Sequence, residues 1–149
     1  MGDKENEEIR NKAIYISGPM TGYDKWNFPA FNRCDEYLKN TVGCTKVFNP
    51  ANFPVQSNNW KECIKFDMQL ILDEDIEAVV LLDGWRKSKG ANLEVHMATS
   101  LGAVLYEYHE GEVCTLSGPY INLPYNGEIN YLSDEEFDKM EKYSLEHDV

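Results

Sequence analysis

Short apolar runs alternate along this chain with longer segments in which apolar residues recur at helical spacing. The runs lie at 13–17, 46–48, 76–82 and 103–106. Runs of this length predict buried strands, and the recurrence predicts amphipathic helices between them. The run at 76–82 is nearly continuous, as is typical of a central strand that is buried on both faces. Strands that alternate with helices predict an α/β fold with a mostly parallel sheet.

Residues that favour helix ends frame two of the predicted helices. Asn27, with Pro29 close behind it, indicates the start of a helix that Gly43 ends. Asn59, with Glu62 three residues later, resembles a capping box and predicts the start of a longer helix. Both helices therefore have starts that the sequence marks.

Asp67 interrupts the apolar face of the second of these helices. That face carries Trp60, Ile64 and Ile71, and Asp67 lies seven positions after Trp60. A carboxylate on a buried stripe is costly unless it is paired or faces a cleft. Asp67 is therefore either an acid that faces a cleft or an acid at the edge of the stripe.

The two ends of the chain are acidic and differ from its centre. Residues 1–12 are polar and predict a flexible segment. Residues 109–132 are rich in Gly, Pro, Asn and Tyr, and fit either a long ordered loop or an irregular edge strand. A capping box led by Ser133 predicts a final acidic helix that ends near Leu145, within an extension over 109–149.

The composition limits the classes of protein that fit. Of 149 residues 42% are apolar, which predicts one domain over 1–149 with a core of its own. A net charge of −12 argues against a nucleic-acid polymer as partner, but a local set of donors can still hold one phosphate. Scattered cysteines, no secretory signal and no apolar run near ~20 residues predict a cytoplasmic protein that does not enter membranes. No His, Cys and Asp cluster has metal-ligand spacing, so neither a metal nor another cofactor is expected.

Three loops that follow predicted strands are expected to meet at one edge of the sheet. They span 17–22, 49–52 and 83–90. Because the carboxyl ends of parallel strands share an edge, ligands of such folds bind there. Glu94 is expected in about the first turn of the following helix, where the positive helix end keeps a carboxylate ionised and attracts phosphate.

Four side chains are expected to face that edge, namely Tyr15, Asp67, Ser88 and Glu94. Two carboxylates at one mouth are typical of glycoside cleavage, in which one acts as nucleophile and the other handles the proton of the leaving group. Glu94 fits the ionised role. Asp67 fits the acid role because burial raises the pKa of a carboxyl group. The Tyr15 hydroxyl fits as the group that orients the nucleophile.

Aromatic and acidic residues beside these loops leave two interpretations open. Trp85 is expected either to stack on a base or to pack against the adjacent helix. Asp83 either binds a ribose hydroxyl or caps a turn. Trp26 and Trp60 are expected in the core or at an interface.

Three linked motifs resemble those of a known family. They are Tyr-Ile-Ser-Gly-Pro-Met-Thr-Gly at 15–22, Asn-Phe-Pro-Ala-Phe-Asn at 27–32 and a Gly-Trp…Ser-Lys-Gly-Ala…Glu pattern at 84–94. Over 13–105 the chain resembles a family of mostly phage and bacterial proteins that is grouped with the nucleoside 2-deoxyribosyltransferase-like superfamily. The resemblance implies a flavodoxin- or Rossmann-like sandwich with a sheet of about 4–5 strands flanked by helices. It also implies cleavage of the N-glycosidic bonds of nucleosides or nucleotides, and a homodimer or larger homo-oligomer.

The resemblance assigns roles to particular residues. Glu94 matches the nucleophile that forms a glycosyl–enzyme intermediate, Asp67 matches the acid beside the leaving base, and Tyr15 matches the tyrosine that hydrogen-bonds the nucleophile. Deoxyribosyltransferases carry a second acid six residues before the nucleophile, where it grips a free 5′-hydroxyl. This chain has Ser88 there, like the related nucleoside 5′-monophosphate N-hydrolases, in which the serine binds the 5′-phosphate. A hydroxyl and a helix N-terminus attract a phosphate that a carboxylate would repel.

The sequence thus predicts an N-glycosidic bond hydrolase acting on a nucleoside 5′-monophosphate, deoxy- or base-modified ones included. Interception of the intermediate by a second base would instead make it a nucleoside 2-deoxyribosyltransferase. A non-catalytic protein that holds a nucleotide or a nucleotide-derived signal is the other alternative. The expected substrate and phosphate contacts lie in the first and third loops. They are Ser17, Gly18, Met20, Thr21, Gly22, Asp83, Trp85, Ser88 and Gly90.

Overall fold

A five-stranded sheet with helices on both faces forms the described part of the chain. A computed structural model describes residues 3–55 and 59–116. The strands are β1 (Ile14–Ser17), β2 (Val47–Phe48), β3 (Ala78–Leu81), β4 (Val104–His109) and β5 (Glu112–Thr115). The helices are α1 (Asp3–Arg10), α2 (Phe28–Glu36), α3 (Trp60–Asp73) and α4 (Lys89–Ser100). A π-helical segment, Tyr37–Val42, continues α2.

The strand order explains where a ligand site is expected. The order is β2-β1-β3-β4-β5, with β2, β1, β3 and β4 parallel and β5 antiparallel to β4. The chain leaves β1 for β2 on one side and then crosses back to β3 on the other. In such sheets ligands bind beyond the carboxyl ends of the two strands at this reversal. The predicted α/β fold with a mostly parallel sheet is therefore confirmed, and its switch point lies between β1 and β3.

The central strand β3 joins two apolar clusters, one on each face of the sheet. Ala78 and Val80 point toward the side of α1 and α2, and Leu82 follows them into that cluster. Val79 and Leu81 point toward the side of α3 and α4. Successive side chains of a strand alternate between faces, so a continuous apolar run is what burial on both faces requires.

The N-terminal segment is helical over Asp3–Arg10, contrary to the expectation that 1–12 is flexible. Its one isoleucine, Ile9, is fully buried in the cluster on the α1/α2 side. Arg10 Nε donates to the Val42 carbonyl at 2.8 Å and ties the helix end to the π-helical segment. A single apolar residue in eight gives little periodicity, so the sequence does not predict this helix.

The helix boundaries agree with the residues that predicted them. Asn59 accepts the Glu62 N–H at 3.2 Å, as the capping box predicts, and Gly43 ends the second helical segment with φ +94°. Asn27 lies at the N-cap position of α2, as predicted, but its side chain makes no cap bond, because its amide donates to the Pro19 carbonyl at 2.9 Å.

Part of the unassigned segment 109–132 is an edge strand. β5 pairs with β4 so that Glu107 lies opposite Cys114, and the turn between the strands contains Gly111 with φ +83°. The acidic helix predicted from Ser133 lies outside the described residues. Among the residues that the structure describes, no helix has the length and apolar character needed to cross a membrane.

Candidate active site

Glu94 reaches the switch point from the second turn of α4. Ser88 caps this helix by accepting the Ala91 N–H at 3.1 Å, so Lys89 is its first residue. The expectation of Glu94 in the first turn is therefore wrong by about one turn. Since the field of a helix end falls off within that turn, the helix N-terminus does little to ionise Glu94.

The Glu94 carboxylate is held by two hydroxyl donors from β1. Tyr15 Oη donates to Oε2 at 2.6 Å, and Ser17 Oγ donates to Oε1 at 2.6 Å. Both distances lie in the short range that is usual for a hydroxyl and a charged acceptor. Glu94 is 5% exposed, and both donors are fully buried. The carboxylate orientation is therefore fixed by β1, the neighbour of the central strand.

Asp67 completes the cluster from α3. Its carboxylate hydrogen-bonds with Glu94 and with the Tyr15 hydroxyl. The residue is half-buried, so it faces the cleft and is not an acid at the outer edge of its helix. The structure thus brings together the three residues that the sequence assigns to catalysis, from β1, α3 and α4.

The two carboxyl groups affect each other's proton affinity in opposite directions, because Asp67 raises the pKa of Glu94 whereas Glu94 lowers that of Asp67. Burial first, and then the neighbouring Asp67, raise the pKa of Glu94 well above its usual value. Burial also raises the pKa of Asp67, while hydrogen bonds from Glu94 and Tyr15 oppose that shift. Burial and both carboxylates raise the pKa of Tyr15, which therefore stays a neutral donor. In the unliganded protein Glu94 therefore has the higher proton affinity of the two carboxyl groups. The sequence predicted the reverse, with Glu94 ionised and Asp67 protonated.

Ser17 serves the carboxylate and not an open phosphate site. Its side chain is fully buried and its hydroxyl donates a hydrogen bond to Glu94. Ser17 lies two positions after Tyr15, so the two side chains share the face of β1 that meets α3 and α4. The prediction of a substrate contact at Ser17 is revised to a contact with the nucleophile candidate.

The rest of the first loop is shaped by close packing at one end and exposure at the other. A Cβ atom on Gly18 would lie 2.8 Å from Leu82 Cβ, so only glycine fits against the residue that follows β3. Met20 packs on the cluster of the α1/α2 side. Thr21 and Gly22 are exposed, and Gly22 has φ +85°. Of the predicted loop contacts, Thr21 is the side chain that solvent reaches.

A left-handed turn follows this loop. Lys25, Trp26 and Asn27 have φ of 52°, 56° and 61°, although none is glycine. This conformation costs roughly 1–2 kcal/mol per residue, so the segment stores backbone strain beside the site. Trp26 is 43% exposed, which rules out the core position, and the alternative of an interface position stays a prediction.

Ser88 and Gly90 lie where the N-terminus of α4 meets α3. Ser88 uses one lone pair for its cap, and its hydroxyl proton remains a donor that can face a ligand. A Cβ atom on Gly90 would lie 3.6 Å from Ile64 Cδ1 and 3.7 Å from Trp60 Nε1. The Lys89 ammonium lies 4.3 Å from the centroid of the Trp60 ring. This corner is cationic and rich in backbone donors, which suits an anion.

Trp85 and Asp83 are engaged with β4. Trp85 is 2% exposed and its Nε1 donates to Glu107 Oε2 at 3.0 Å, so the residue packs inside and does not offer a stacking face to a base. Asp83 pairs through Oδ1 with His109 Nδ1 at 2.5 Å, and no ribose contact or turn cap is needed to explain it. Sequence reasoning missed Glu107 and His109, although both lie near the carboxyl end of a predicted strand.

The second loop is fixed by a buried asparagine. Asn49 Oδ1 accepts the Ala51 N–H at 3.0 Å, and its Nδ2 donates to Asp35 Oδ2 at 2.9 Å. Beyond this anchor, the Phe53 ring lies 6.1 Å from the Tyr15 ring and 5.2 Å from the Phe66 ring, centroid to centroid. These rings form an apolar wall beside Tyr15. Within 3–55 and 59–116 no group of three His, Cys, Asp or Glu residues is arranged to hold a metal ion.

Comparison with known proteins places this arrangement in a family. Residues 12–107 match the family described as a domain of unknown function (DUF4406). Comparisons with curated proteins and with solved structures each gave no match. The matched range holds Tyr15, Asp67 and Glu94 together with all three loops at the sheet edge. The chain therefore belongs to the DUF4406 family.

Proposed function

We propose that this protein cleaves the N-glycosidic bond of a nucleoside 5′-monophosphate. The observation that carries the proposal is the buried Glu94 carboxylate, held by Tyr15 and Ser17 and hydrogen-bonded to Asp67. A nucleophilic carboxylate needs a fixed orientation and a second carboxyl group that manages the proton of the leaving group. The cluster supplies both at the switch point of the sheet.

The shared proton gives each carboxyl group a role. Substrate binding moves the proton from Glu94 to Asp67 across their hydrogen bond. Glu94 then attacks C1′, the C1′–N bond breaks, and the electron pair stays on the base nitrogen, which takes the proton from Asp67. Asp67 next removes a proton from water, and the resulting hydroxide displaces Glu94 from C1′. At the end of the cycle Glu94 and Asp67 hold one proton between them, as they did at the start, so the protons balance.

The 5′-phosphate is assigned to the N-terminus of α4. Ser88 offers a hydroxyl donor there, and the first backbone N–H groups of the helix point the same way. Glu94 lies six positions further along the same helix, which sets the spacing between the phosphate and C1′. This placement favours a nucleotide over a free nucleoside because a nucleoside offers these donors a neutral 5′-hydroxyl in place of a charged phosphate.

The test is a chromatographic assay against ribo- and deoxynucleoside monophosphates and the matching free nucleosides. The wild type is expected to release free base from a monophosphate. Glu94→Gln is expected to lower kcat by at least ~10³-fold, and Asp67→Asn by about 10²–10⁴-fold. Glu36, which is exposed at the end of α2 on the opposite face of the sheet, provides the matched control, and Glu36→Gln should keep wild-type activity.

Trapping the intermediate separates the mechanism from other routes. Because Asp67 serves both steps, Asp67→Asn is combined with a substrate whose leaving group needs no protonation. Only the hydrolytic step is then slowed, and mass spectrometry should find Glu94 carrying the sugar phosphate. Base release by Glu94→Gln at the wild-type rate would overturn the mechanism. Exchange of bases without net hydrolysis would identify a deoxyribosyltransferase. Thermal stabilisation by a nucleotide that is recovered intact would identify a binding protein.

A further inference from the structure

Four side chains tie the third loop to strand β4, and together they are called the β4 clamp: Asp83, Trp85, Glu107 and His109. His109 Nδ1 meets Asp83 Oδ1 at 2.5 Å and His109 Nε2 meets Glu107 Oε1 at 3.4 Å. Glu107 Oε2 accepts the Trp85 indole N–H at 3.0 Å. The clamp therefore runs unbroken from the end of β3 to a buried tryptophan.

On its other side the same loop is fixed to α4. Asn92 Nδ2 donates to the Ser88 carbonyl at 2.7 Å and to the Arg86 carbonyl at 3.0 Å. Trp85 also packs in the cluster that contains Ala91 of α4. Hydrogen bonds thus hold the loop to β4 on one side and to α4 on the other. A displacement of the loop at β4 is therefore transmitted to Ser88 and to the start of α4.

The arrangement of the clamp favours a doubly protonated histidine. A neutral imidazole has one N–H donor and serves one carboxylate, whereas an imidazolium serves both Asp83 and Glu107. Burial alone would lower the pKa of His109, but the hydrogen bonds to Asp83 and Glu107 outweigh it and raise that pKa. Two further charged groups adjoin the clamp. Glu112 lies opposite His109 on β5, and the Arg86 guanidinium lies 5.5 Å from the Trp85 ring centroid.

We propose that His109 is a positioning residue that, in its cationic form, joins Asp83 to Glu107 and so fixes the loop that presents Ser88. The role of Ser88 as a phosphate donor rests on the proposed function above. When His109 loses its proton, its ion pair with Asp83 becomes a neutral hydrogen bond and the Glu107 contact loses its donor, so the attachment of the loop to β4 weakens. Phosphate binding is then weakened, while the Tyr15, Asp67 and Glu94 cluster keeps its own contacts.

The first test follows the clamp without any substrate. In a ¹⁵N spectrum of the full chain, the Trp85 indole N–H signal, assigned through Trp85→Phe, is followed from pH 5 to pH 9. The shift should titrate with an apparent pKa above ~6.5, the ordinary value for histidine. His109→Gln should abolish the titration. His96→Gln is the matched control because His96 is exposed on α4, outside the clamp, and it should leave the titration unchanged.

The second test measures KM and kcat for a monophosphate and for the matching free nucleoside. In the wild type, KM for the monophosphate should rise about 2- to 5-fold as pH increases through the His109 pKa, a range set by exposed ion pairs. His109→Gln should show the raised KM already at pH 6, with kcat within twofold of wild type. The free nucleoside has no phosphate, so its KM should be the same in both proteins.

The two tests fail in different ways. A Trp85 signal that does not titrate, or that titrates equally in His109→Gln, would overturn the positioning role whether or not the protein is an enzyme. A fall in kcat with KM unchanged would also overturn it, because positioning of the phosphate acts on binding. A titrating Trp85 signal in a protein that cleaves no nucleotide would uphold the clamp and reject the proposed function.

Discussion

Glu94 has the environment of a reactive group and not of a stabilising one. Its carboxyl group is buried, and Asp67 places a second acidic group against it. The hydrogen bonds from Tyr15 and Ser17 favour the charged form but do not outweigh burial and Asp67, since the pKa of Glu94 is raised. Strongly perturbed carboxyl groups of this kind cluster at functional sites. Folding this chain therefore means placing Glu94 where its ionised form is unfavourable.

Glu94→Gln is expected to stabilise the protein at neutral and alkaline pH. Because the folded-state pKa of Glu94 is raised, the folded state binds more protons than the unfolded state, and stability falls as pH rises through that pKa. Glutamine stays neutral at every pH and has a similar shape, so Glu94→Gln should not lose stability in this way as pH rises. The Tm difference should be near zero at pH 4 and grow with pH, by about 2–4 °C for each kcal/mol gained.

Thermal denaturation from pH 4 to pH 9 measures this effect. Glu62→Gln is the control, because Glu62 is exposed at the start of α3 and should show no such pH-dependent gain. A Glu94→Gln protein that is less stable than wild type at pH 8 would mean that the ionised carboxylate is well accommodated. The raised pKa would then be wrong.

At this scale the sequence predicted the cluster of Tyr15, Asp67 and Glu94 better than its surroundings. Tyr15 and Glu94 follow from the motifs, and Asp67 follows from a carboxylate on an apolar helix face. The contact of Ser17 with Glu94 could have been found from strand alternation, since Ser17 shares a face with Tyr15. For Trp85 the sequence offered packing against the adjacent helix as one of two alternatives, and the structure shows that packing. The sequence could not decide between them, because the carboxylate that accepts the indole N–H is distant in sequence.

The first loop, which follows β1, packs so closely against the end of β3 that no side chain fits at one of its positions. Gly18 lies against Leu82, which is itself buried where β3 ends. Gly22, four residues later, is needed for its φ of +85°, and a Cβ atom there would meet no neighbouring atom within 4 Å. Two glycines of one loop thus serve different physical purposes, steric at Gly18 and conformational at Gly22.

Alanine substitutions should separate these purposes. Gly18→Ala overpacks the contact with Leu82 and should lower the free energy of unfolding by about 1–3 kcal/mol. Gly22→Ala should cost roughly 1–2 kcal/mol through backbone strain alone. Urea denaturation of both variants, alone and combined with Leu82→Gly, measures the coupling. Leu82→Gly removes the Cβ atom that lies 2.8 Å from the Cβ added at Gly18. It should therefore offset part of the Gly18→Ala loss, whereas it should add independently to Gly22→Ala, and equal coupling in both pairs would contradict the steric account.

The elements themselves were predictable where local chemistry decides them. Asn59 and Gly43 mark helix ends that the structure reproduces. The start of α4 at Lys89 follows from Ser88 as a cap, and counting from that cap would have placed Glu94 in the second turn. β5 and α1 depend on contacts with distant parts of the chain, and short segments with few apolar residues carry little signal of such contacts.

For the whole molecule, the fold follows from one long apolar run. The segment 76–82 supplies buried residues to both faces, so the sheet must be covered on both sides and the chain must alternate strands with helices. This is why the α/β class could be predicted from the sequence. The strand order could not, because apolar runs do not record which strands are neighbours.

The shared strand also predicts that the two clusters unfold together. Leu38 is fully buried on the α1/α2 side, and Ile71 is 2% exposed on the α3/α4 side. Leu38→Ala and Ile71→Ala should each lower the free energy of unfolding by about 2–5 kcal/mol. Because β3 belongs to both clusters, hydrogen exchange of its amides should accelerate by an amount that matches the global loss in either variant. Exchange in β3 that responds to one substitution and not to the other would show that the two faces unfold as separate units.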